Sequence, residues 1–193
     1  MVVCWAAGAG GKGGPERTFA IDRDACIHFI RAAAHTPTVT KFLLVSYPGS
    51  RRSKAPWWSD ADWAATKEVN AGVLKNYYAA KLVADEYLVA AAKERGEGFQ
   101  AICLRPGSLT DEPGKAKVSL GKTGARGQVR RGVVAEVLMR CLESEVVRGW
   151  VDMLEGEEEI GEAVERVERG GLDCVEGENV GAMMERYEKV VAD

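Results

Sequence analysis

Lys41-Phe42-Leu43-Leu44-Val45-Ser46 is a run of apolar residues that ends in a hydroxyl side chain. Its length and its aliphatic and aromatic content predict a buried strand. Val2-Val3-Cys4-Trp5-Ala6-Ala7 has the same character. Between them, the apolar residues of 22–34 recur with helical spacing, which predicts an amphipathic helix. A helix between two apolar strands is typical of a βαβ unit, so the sequence predicts an α/β fold with a parallel sheet and helices on both faces.

A glycine-rich segment, residues 8–15, follows the first of these strands. It lacks the phosphate-binding pattern Gly-x-x-x-x-Gly-Lys-Ser/Thr, and its spacing Gly8-x-Gly10-x-x-Gly13 leads into Gly14-Pro15 rather than into a predicted helix. We therefore expect a flexible loop. It lies at the carboxyl end of a strand, which is where open α/β sheets bind their ligands.

The rest of the chain alternates helical and strand patterns. Residues 47–65 are predicted as a loop, and its three tryptophans either pack back on the body or form a lid and substrate wall. The other predicted elements are a long helix at 68–95, strands at 99–104 and 149–154, a short strand at 118–120, a helix at 131–142, and acidic helices at 157–169 and 179–191.

Composition narrows the class of protein. The chain has 193 residues, 46% apolar and 28% charged, which fits one globular domain without a membrane span. Its five cysteines never occur as Cys-x-x-Cys, which indicates reduced thiols in a cytoplasmic protein. His28 and His35 have no companions at metal-ligand spacing, so no metal site is expected. The sequence has no basic stripe interleaved with aromatic residues, so nucleic-acid binding is not expected.

Tyr77 and Lys81, within Asn76-Tyr77-Tyr78-Ala79-Ala80-Lys81, are four residues apart in the long predicted helix. That spacing brings the phenol and the ammonium to one helix face. A nearby cation favours the phenolate, so we expect Lys81 to lower the pKa of Tyr77 and to make it a proton donor or acceptor. The alternative is a packed aromatic residue covered by a lysine stem. Tyr78 is a weaker candidate because Leu82 lies four residues beyond it.

Several segments together resemble the atypical short-chain dehydrogenase/reductases, NAD(P)-binding Rossmann-fold proteins, and within them the flavin/biliverdin-reductase-like and epimerase-like members. The resemblance covers roughly residues 1–165, and residues 166–193 form an acidic C-terminal helical extension. The segments that carry the resemblance are 6–14, Leu44-Val45-Ser46, Tyr77-x-x-x-Lys81 with 84–88, 104–114 and 127–131.

The resemblance implies an oxidoreductase that uses NADP or NAD as its cofactor. Its substrate would be a small molecule, which the resemblance does not identify. Tyr77 would be the proton donor or acceptor, Lys81 would hold the nicotinamide ribose, and Ser46 would hydrogen-bond the substrate carbonyl. The remaining implied cofactor contacts are Ala6, Ala7 and Gly8 under the adenine and ribose, and Arg105, Pro106 and Gly107 on the nicotinamide side.

The resemblance also implies that the N-terminal strands and the glycine fingerprint of the fold are missing. The family's Gly-x-x-Gly-x-x-Gly turn and the helix that holds the pyrophosphate have no counterpart here. We therefore expect impaired cofactor binding and an exposed strand edge near Val2–Ala7 that is open to self- or partner association. The alternatives are a non-catalytic nucleotide-sensing or interaction protein of the same fold, and an incomplete gene product.

Overall fold

The fold is a three-layer α/β sandwich of the Rossmann-like type. A computed structural model describes residues 1–112 and 117–191, with side chains described as far as Tyr187. Pro113 and Gly114 of the resembling segment 104–114 therefore lie outside the described residues.

Six strands form the main sheet in the order β1-β2-β3-β7-β5-β8. The first four are parallel, and the register places Val2 beside Lys41 and Lys41 beside Gln100. This confirms the predicted parallel sheet, to which β5 and β8 add two antiparallel strands. The strands of this sheet are β1 (Val2–Trp5), β2 (Lys41–Val45), β3 (Gln100–Pro106), β5 (Lys117–Gly121), β7 (Gly149–Glu155) and β8 (Glu158–Glu159).

Helices cover both faces of the sheet. On one face, α2, α4 and α7 enclose a core that includes Tyr87, Trp150 and Met183. On the other face, α5 and α6 enclose a second core around Leu104 and Val137. The helices are α1 (Gly14–Thr18), α2 (Cys26–His35), α3 (Asp60–Ala71), α4 (Lys75–Arg95), α5 (Arg131–Glu143), α6 (Ile160–Gly170) and α7 (Val180–Val191).

Helix formation begins earlier than predicted after the glycine-rich loop. Helix α1 starts at Gly14, continues as a π-helical segment (Phe19–Ala25) and runs into α2, so the prediction of a loop leading into Gly14-Pro15 without a helix was wrong. Gly13 has φ of 82°, a left-handed conformation that glycine adopts without strain. Pro15 then suits the first turn of a helix, where its missing N–H has no partner to lose.

The long predicted helix at 68–95 is two helices, α3 and α4, separated by a turn at Gly72. Helix α3 also takes over part of the predicted loop 47–65, because Ser59 and Asp62 form a capping box that starts it. The indole N–H groups of Trp57 and Trp58 both donate to the carbonyl of Thr123, at 2.8 and 3.0 Å. These two tryptophans therefore pack back on the body.

The remaining strands form a small parallel pair, β4 (Ser108–Thr110) with β6 (Gln128–Arg130). All five cysteines are free thiols, and four of them are buried. Strand β1 lies at one edge of the sheet, with Val2 and Cys4 exposed.

Candidate active site

A cavity of about 870 Å³ opens at the carboxyl ends of β1, β2 and β3. This is the position where the strand order of open α/β sheets creates ligand sites. Eight of the nine residues that the sequence and the resemblance single out line this cavity, namely Ala6, Ala7, Gly8, Ser46, Tyr77, Lys81, Pro106 and Gly107. The ninth, Arg105, does not.

Tyr77 lies in the first turn of α4, half-buried, with its ring 5.2 Å from that of Tyr47. Within the described residues no hydrogen bond engages its hydroxyl, which lies on the cavity wall. Burial raises the pKa of Tyr77 above its ordinary value, and the carboxylates of Asp22 and Asp85 raise it further. The expectation that Lys81 lowers the pKa of Tyr77 was therefore wrong for this arrangement, because burial and two anions dominate.

Lys81 is 1% exposed, one helical turn beyond Tyr77. Its ammonium donates to the carbonyl oxygen of Val45, the last residue of β2, at 2.6 Å. This bond ties α4 to the end of the strand that carries Ser46. The charge of Lys81 favours the ionised form of the neighbouring Asp85, so the lysine acts electrostatically on this carboxylate rather than on the phenol.

Asp85 is fully buried, and its Oδ2 accepts a hydrogen bond of 2.6 Å from the Ser46 hydroxyl. Burial raises the pKa of Asp85, and Lys81 and Arg105 oppose that rise. A serine hydroxyl has one hydrogen to donate, so Ser46 as arranged offers an incoming carbonyl no donor. The sequence analysis missed this role of Asp85, although an acid four residues after Lys81 in an apolar helix was a visible signal.

Asp22 is a buried carboxylate that lines the cavity, and the sequence analysis missed it. It is 2% exposed and comes from the π-helical segment Phe19–Ala25. Its Oδ2 accepts the backbone N–H of Ala9 at 3.0 Å, and its Oδ1 lies 2.8 Å from where a Cβ on Gly8 would stand. The glycine therefore lets the carboxylate sit against the strand end. A π-helical turn often marks a functional site.

Arg105 is fully buried below the cavity, so the prediction that it lines the nicotinamide side was wrong. Its guanidinium lies 3.2 Å from Asp152 and 4.1 Å from the Trp150 ring centroid. It also donates to the carbonyls of Tyr47 and Pro48. Arg105 thus holds the chain turn that follows Ser46. Burial raises the pKa of Asp152 to about 6.

Gly107 occupies a tight position on the opposite wall. A Cβ at this residue would lie 2.5 Å from the carbonyl oxygen of Gly127 and 2.5 Å from a methyl group of Leu154. The backbone of Ser108 donates to the same Gly127 oxygen at 2.9 Å. Small residues on both segments, Gly107 and Gly127, therefore let β4 and β6 come together at the cavity.

Within residues 1–112 and 117–187, no three His, Cys, Asp or Glu side chains cluster in a way that could hold a metal ion. Among the helices described, none has the length and apolar character needed to cross a membrane.

Residues 1–145 match the model of a family described as NAD(P)H-binding. The chain belongs to this NAD(P)H-binding family. It is 34% identical over 167 residues to UPF0659 protein C216.03 of Schizosaccharomyces pombe, covering 84% of this chain and 65% of that protein. It is 30% identical over 166 residues to the uncharacterised sugar epimerase YhfK of Bacillus subtilis, covering 86% of this chain and 68% of that protein.

Solved structures show the same fold. A putative NAD-dependent epimerase/dehydratase from Bacillus halodurans superimposes with a TM-score of 0.69 at 23% identity, over 86% of this chain and 69% of that one. The oxidoreductase YlbE from Lactococcus lactis superimposes with a TM-score of 0.65 at 24% identity, over 86% of this chain and 67% of that one. The chain of this NAD(P)H-binding family thus has a Rossmann-like fold, and it spans about two thirds of the length of these proteins.

Proposed function

We propose that this chain carries the proton-transfer site of an NAD(P)H-dependent oxidoreductase, with Tyr77 as the group that exchanges a proton with the substrate oxygen. The observation that carries the proposal is Tyr77 on the wall of an 870 Å³ cavity, one helical turn from a buried Lys81, with no hydrogen bond to its hydroxyl from the part of the chain that the structure describes. Membership in an NAD(P)H-binding family supplies the redox partner.

Each neighbouring residue has a separable part in this proposal. The raised pKa of Tyr77 keeps its phenol protonated at neutral pH, and a protonated phenol donates to the oxygen of a carbonyl that is being reduced. Lys81 anchors α4 through the carbonyl of Val45 and favours the ionised form of Asp85. Ser46 accepts hydrogen bonds while its own hydrogen binds Asp85.

The cavity fits the nicotinamide end of the cofactor. Ala6, Ala7 and Gly8 form a wall of small residues, and the Asp22 carboxylate packs directly against Gly8. These residues, with Lys81 and Pro106, would hold the nicotinamide ribose. When bound, the reduced cofactor supplies a hydride.

The affinity of this chain for the dinucleotide is expected to be low. Among the described residues that line the cavity, the cations are Lys81, already bonded to a carbonyl, and Arg126, while Asp22 adds a buried negative charge. A pyrophosphate is bound best by backbone N–H groups at a helix N-terminus or by several cations. Titration with NADH and NADPH, followed by cofactor fluorescence, measures this affinity and the preference between the two.

The catalytic part of the proposal is tested with Tyr77→Phe, using Tyr78→Phe as the matched control. The Tyr78 hydroxyl donates to the carbonyl of Arg51 at 3.2 Å, and Tyr78 is not among the cavity residues. With quinone or aldehyde acceptors, Tyr77→Phe should lower the rate of NAD(P)H oxidation by on the order of 10²-fold or more, as loss of a general acid does. Tyr78→Phe should leave that rate nearly unchanged.

Two results would contradict this assignment. Equal rates for the wild type and Tyr77→Phe would remove the proton-transfer role. Cofactor binding without turnover, before and after the substitution, would instead favour a nucleotide-sensing protein.

We propose as a second candidate function that two copies of the chain associate along β1. The free edge of β1 borders Val2, 47% exposed, and Phe29, 52% exposed, and unpaired strand edges readily pair. Sedimentation at micromolar concentration tests this idea, with Phe29→Ser and Val2→Thr expected to shift any dimer to monomer. A monomer at all concentrations would rule it out.

A further inference from the structure

Three apolar side chains line the mouth of the cavity while remaining exposed. Val73 is 87% exposed, Leu109 is 43% exposed and Val69 is 38% exposed. Single exposed apolar residues are ordinary on protein surfaces, but a group around a cavity indicates a binding surface. We call Val69, Val73 and Leu109 the apolar rim.

The apolar rim is contributed by two opposite walls. Val69 ends α3 and Val73 lies in the turn before α4, four residues before Tyr77. Leu109 lies on β4, where it is paired in register with Val129 of β6. Segments distant in the sequence thus contribute exposed apolar side chains to one cavity.

Arg126 lies on the same wall as Leu109, directly before Gly127, whose carbonyl accepts the N–H of Ser108 at 2.9 Å. The arginine is exposed and lines the cavity. Within residues 1–112 and 117–187, no hydrogen bond or ion pair engages its guanidinium. It is thus a cation available to an anionic ligand group, which guanidinium binds in a bidentate manner.

Two polar side chains of the α3 wall, Asn70 and Thr66, already form hydrogen bonds within the protein. The Asn70 amide donates to the carbonyl of Gly49 at 2.8 Å, and its oxygen accepts from the Tyr47 hydroxyl at 2.9 Å. The Thr66 hydroxyl donates to the carbonyl of Asp62 at 2.8 Å. A sugar needs partners for its hydroxyl groups, because a polar group left unpaired in a site is costly. This wall offers few.

The Tyr47 and Tyr77 rings supply an aromatic surface at the base of the cavity, 5.2 Å apart and tilted by 38°. Aromatic ligands pack well against such offset, tilted rings. From these observations we propose that the substrate of the Tyr77 site is a carbonyl compound with a flat apolar body and an anionic group, with the body against the apolar rim and the anion on Arg126. This inference rests on the proposed function of Tyr77.

The binding part is tested without any turnover. The probe is anilinonaphthalene sulfonate, an apolar aromatic anion, and its uncharged counterpart is N-phenylnaphthylamine. Val73→Thr changes polarity at nearly constant volume, and Arg126→Gln removes the cation. The matched controls are Val146→Thr, at another exposed valine, and Arg169→Gln, at another exposed arginine, both outside the cavity.

The expected pattern separates the two contacts. Arg126→Gln should weaken binding of the sulfonate roughly tenfold, as loss of a charge-assisted hydrogen bond does, and leave the uncharged probe unaffected. Val73→Thr should weaken both probes by about threefold. The two control variants should match the wild type. Equal loss of both probes in Arg126→Gln, or no loss in Val73→Thr, would overturn the proposal, as would displacement of the probe by UDP-glucose.

A turnover experiment links this surface to the reaction. In the presence of NADPH, para-carboxybenzaldehyde should be reduced with a KM at least tenfold lower than that of benzaldehyde. Arg126→Gln should remove that difference by raising the KM for para-carboxybenzaldehyde toward that for benzaldehyde, whereas the control Arg169→Gln should preserve it. A KM difference that persists in Arg126→Gln would overturn the proposal. If instead Tyr77→Phe turns over normally while the probe pattern holds, the proton-transfer role fails and the binding surface stands.

Discussion

Asp85 and Glu86 are adjacent carboxylates of α4 that are both fully buried, yet they face different regions of the molecule. Asp85 lies behind the cavity residue Ser46, whose hydroxyl is its hydrogen-bond donor. Glu86 faces the C-terminal segment, where Arg52 binds both of its oxygens at 2.7 and 3.0 Å. Arg186 of α7 adds a bond of 2.8 Å.

The two carboxylates differ in how their charge is compensated, and this difference distinguishes a stabilising contact from a functional one. Glu86 has charged donors for both oxygens, so its burial is compensated and it fastens α7 to the body. Asp85 has a neutral donor and more distant cations, and burial raises its pKa. An incompletely compensated charge costs stability, and such charges cluster at functional sites. Helix α4 therefore supports the C-terminal segment on one face and the cavity on the other.

The largest expected effect comes from breaking the Glu86 side. Glu86→Gln keeps the shape but removes the charge that two arginines share, and should lower the free energy of unfolding by about 2–4 kcal/mol. Urea denaturation measures this loss. Glu94→Gln, at an exposed position of the same helix, is the control and should change stability by less than about 0.5 kcal/mol. A similar small change for Glu86→Gln would mean that α7 is held by apolar packing alone.

Asp85→Asn should have the opposite profile, with little loss of stability and a clear loss of function. At neutral pH the amide avoids the cost of a buried charge, so the free energy of unfolding should stay within about 1 kcal/mol of the wild type. The amide also brings a donor against Ser46, which should lower turnover by roughly tenfold. A large loss of stability together with normal turnover of the folded fraction would contradict the functional role of Asp85.

The pH dependence of the same variant has a definite sign. Because the pKa of Asp85 is raised in the folded state, its favourable contribution is complete below the unfolded pKa of about 4 and is lost as pH rises through the folded pKa. The stability of the wild type relative to Asp85→Asn should therefore fall as pH increases from about 4. Urea titrations across this range measure it, and a rising difference would contradict the assignment.

The sequence predicted the parallel strands and most of the cavity because both depend on local patterns. Apolar runs such as 41–46 define buried strands, and parallel strands bring their carboxyl ends to one edge. The errors arose where a glycine was misinterpreted: Gly13 lets a helix start, and Gly72 ends one. The Ser59 and Asp62 capping box is a helix start that can be recognised in the sequence, and the prediction of a loop at 47–65 does not include it.

The electrostatics of the site could not be predicted from spacing. Tyr77 and Lys81 do share a helix face, but the pKa of the phenol depends on burial and on Asp22, which arrives from a different element. The side chain of Arg105 lies in the protein interior, where it pairs with Asp152 of the neighbouring strand β7. Such contacts between distant segments exist only once the sheet has formed.

The smallest effect tests whether the charge on Glu86 strengthens its bonds. Tyr187→Phe removes one hydroxyl that donates to Glu86 at 3.1 Å, while the ring contact with Tyr87, 5.9 Å between centroids, is kept. The expected loss in the free energy of unfolding is about 1–1.5 kcal/mol, since the acceptor is charged. Tyr78→Phe, whose hydroxyl donates to a neutral carbonyl, should lose about half as much. In a Glu86→Gln background the Tyr187→Phe loss should shrink toward that of Tyr78→Phe, because paired residues are not additive. Equal losses in both backgrounds would mean that the hydroxyl contributes through packing and not through the carboxylate.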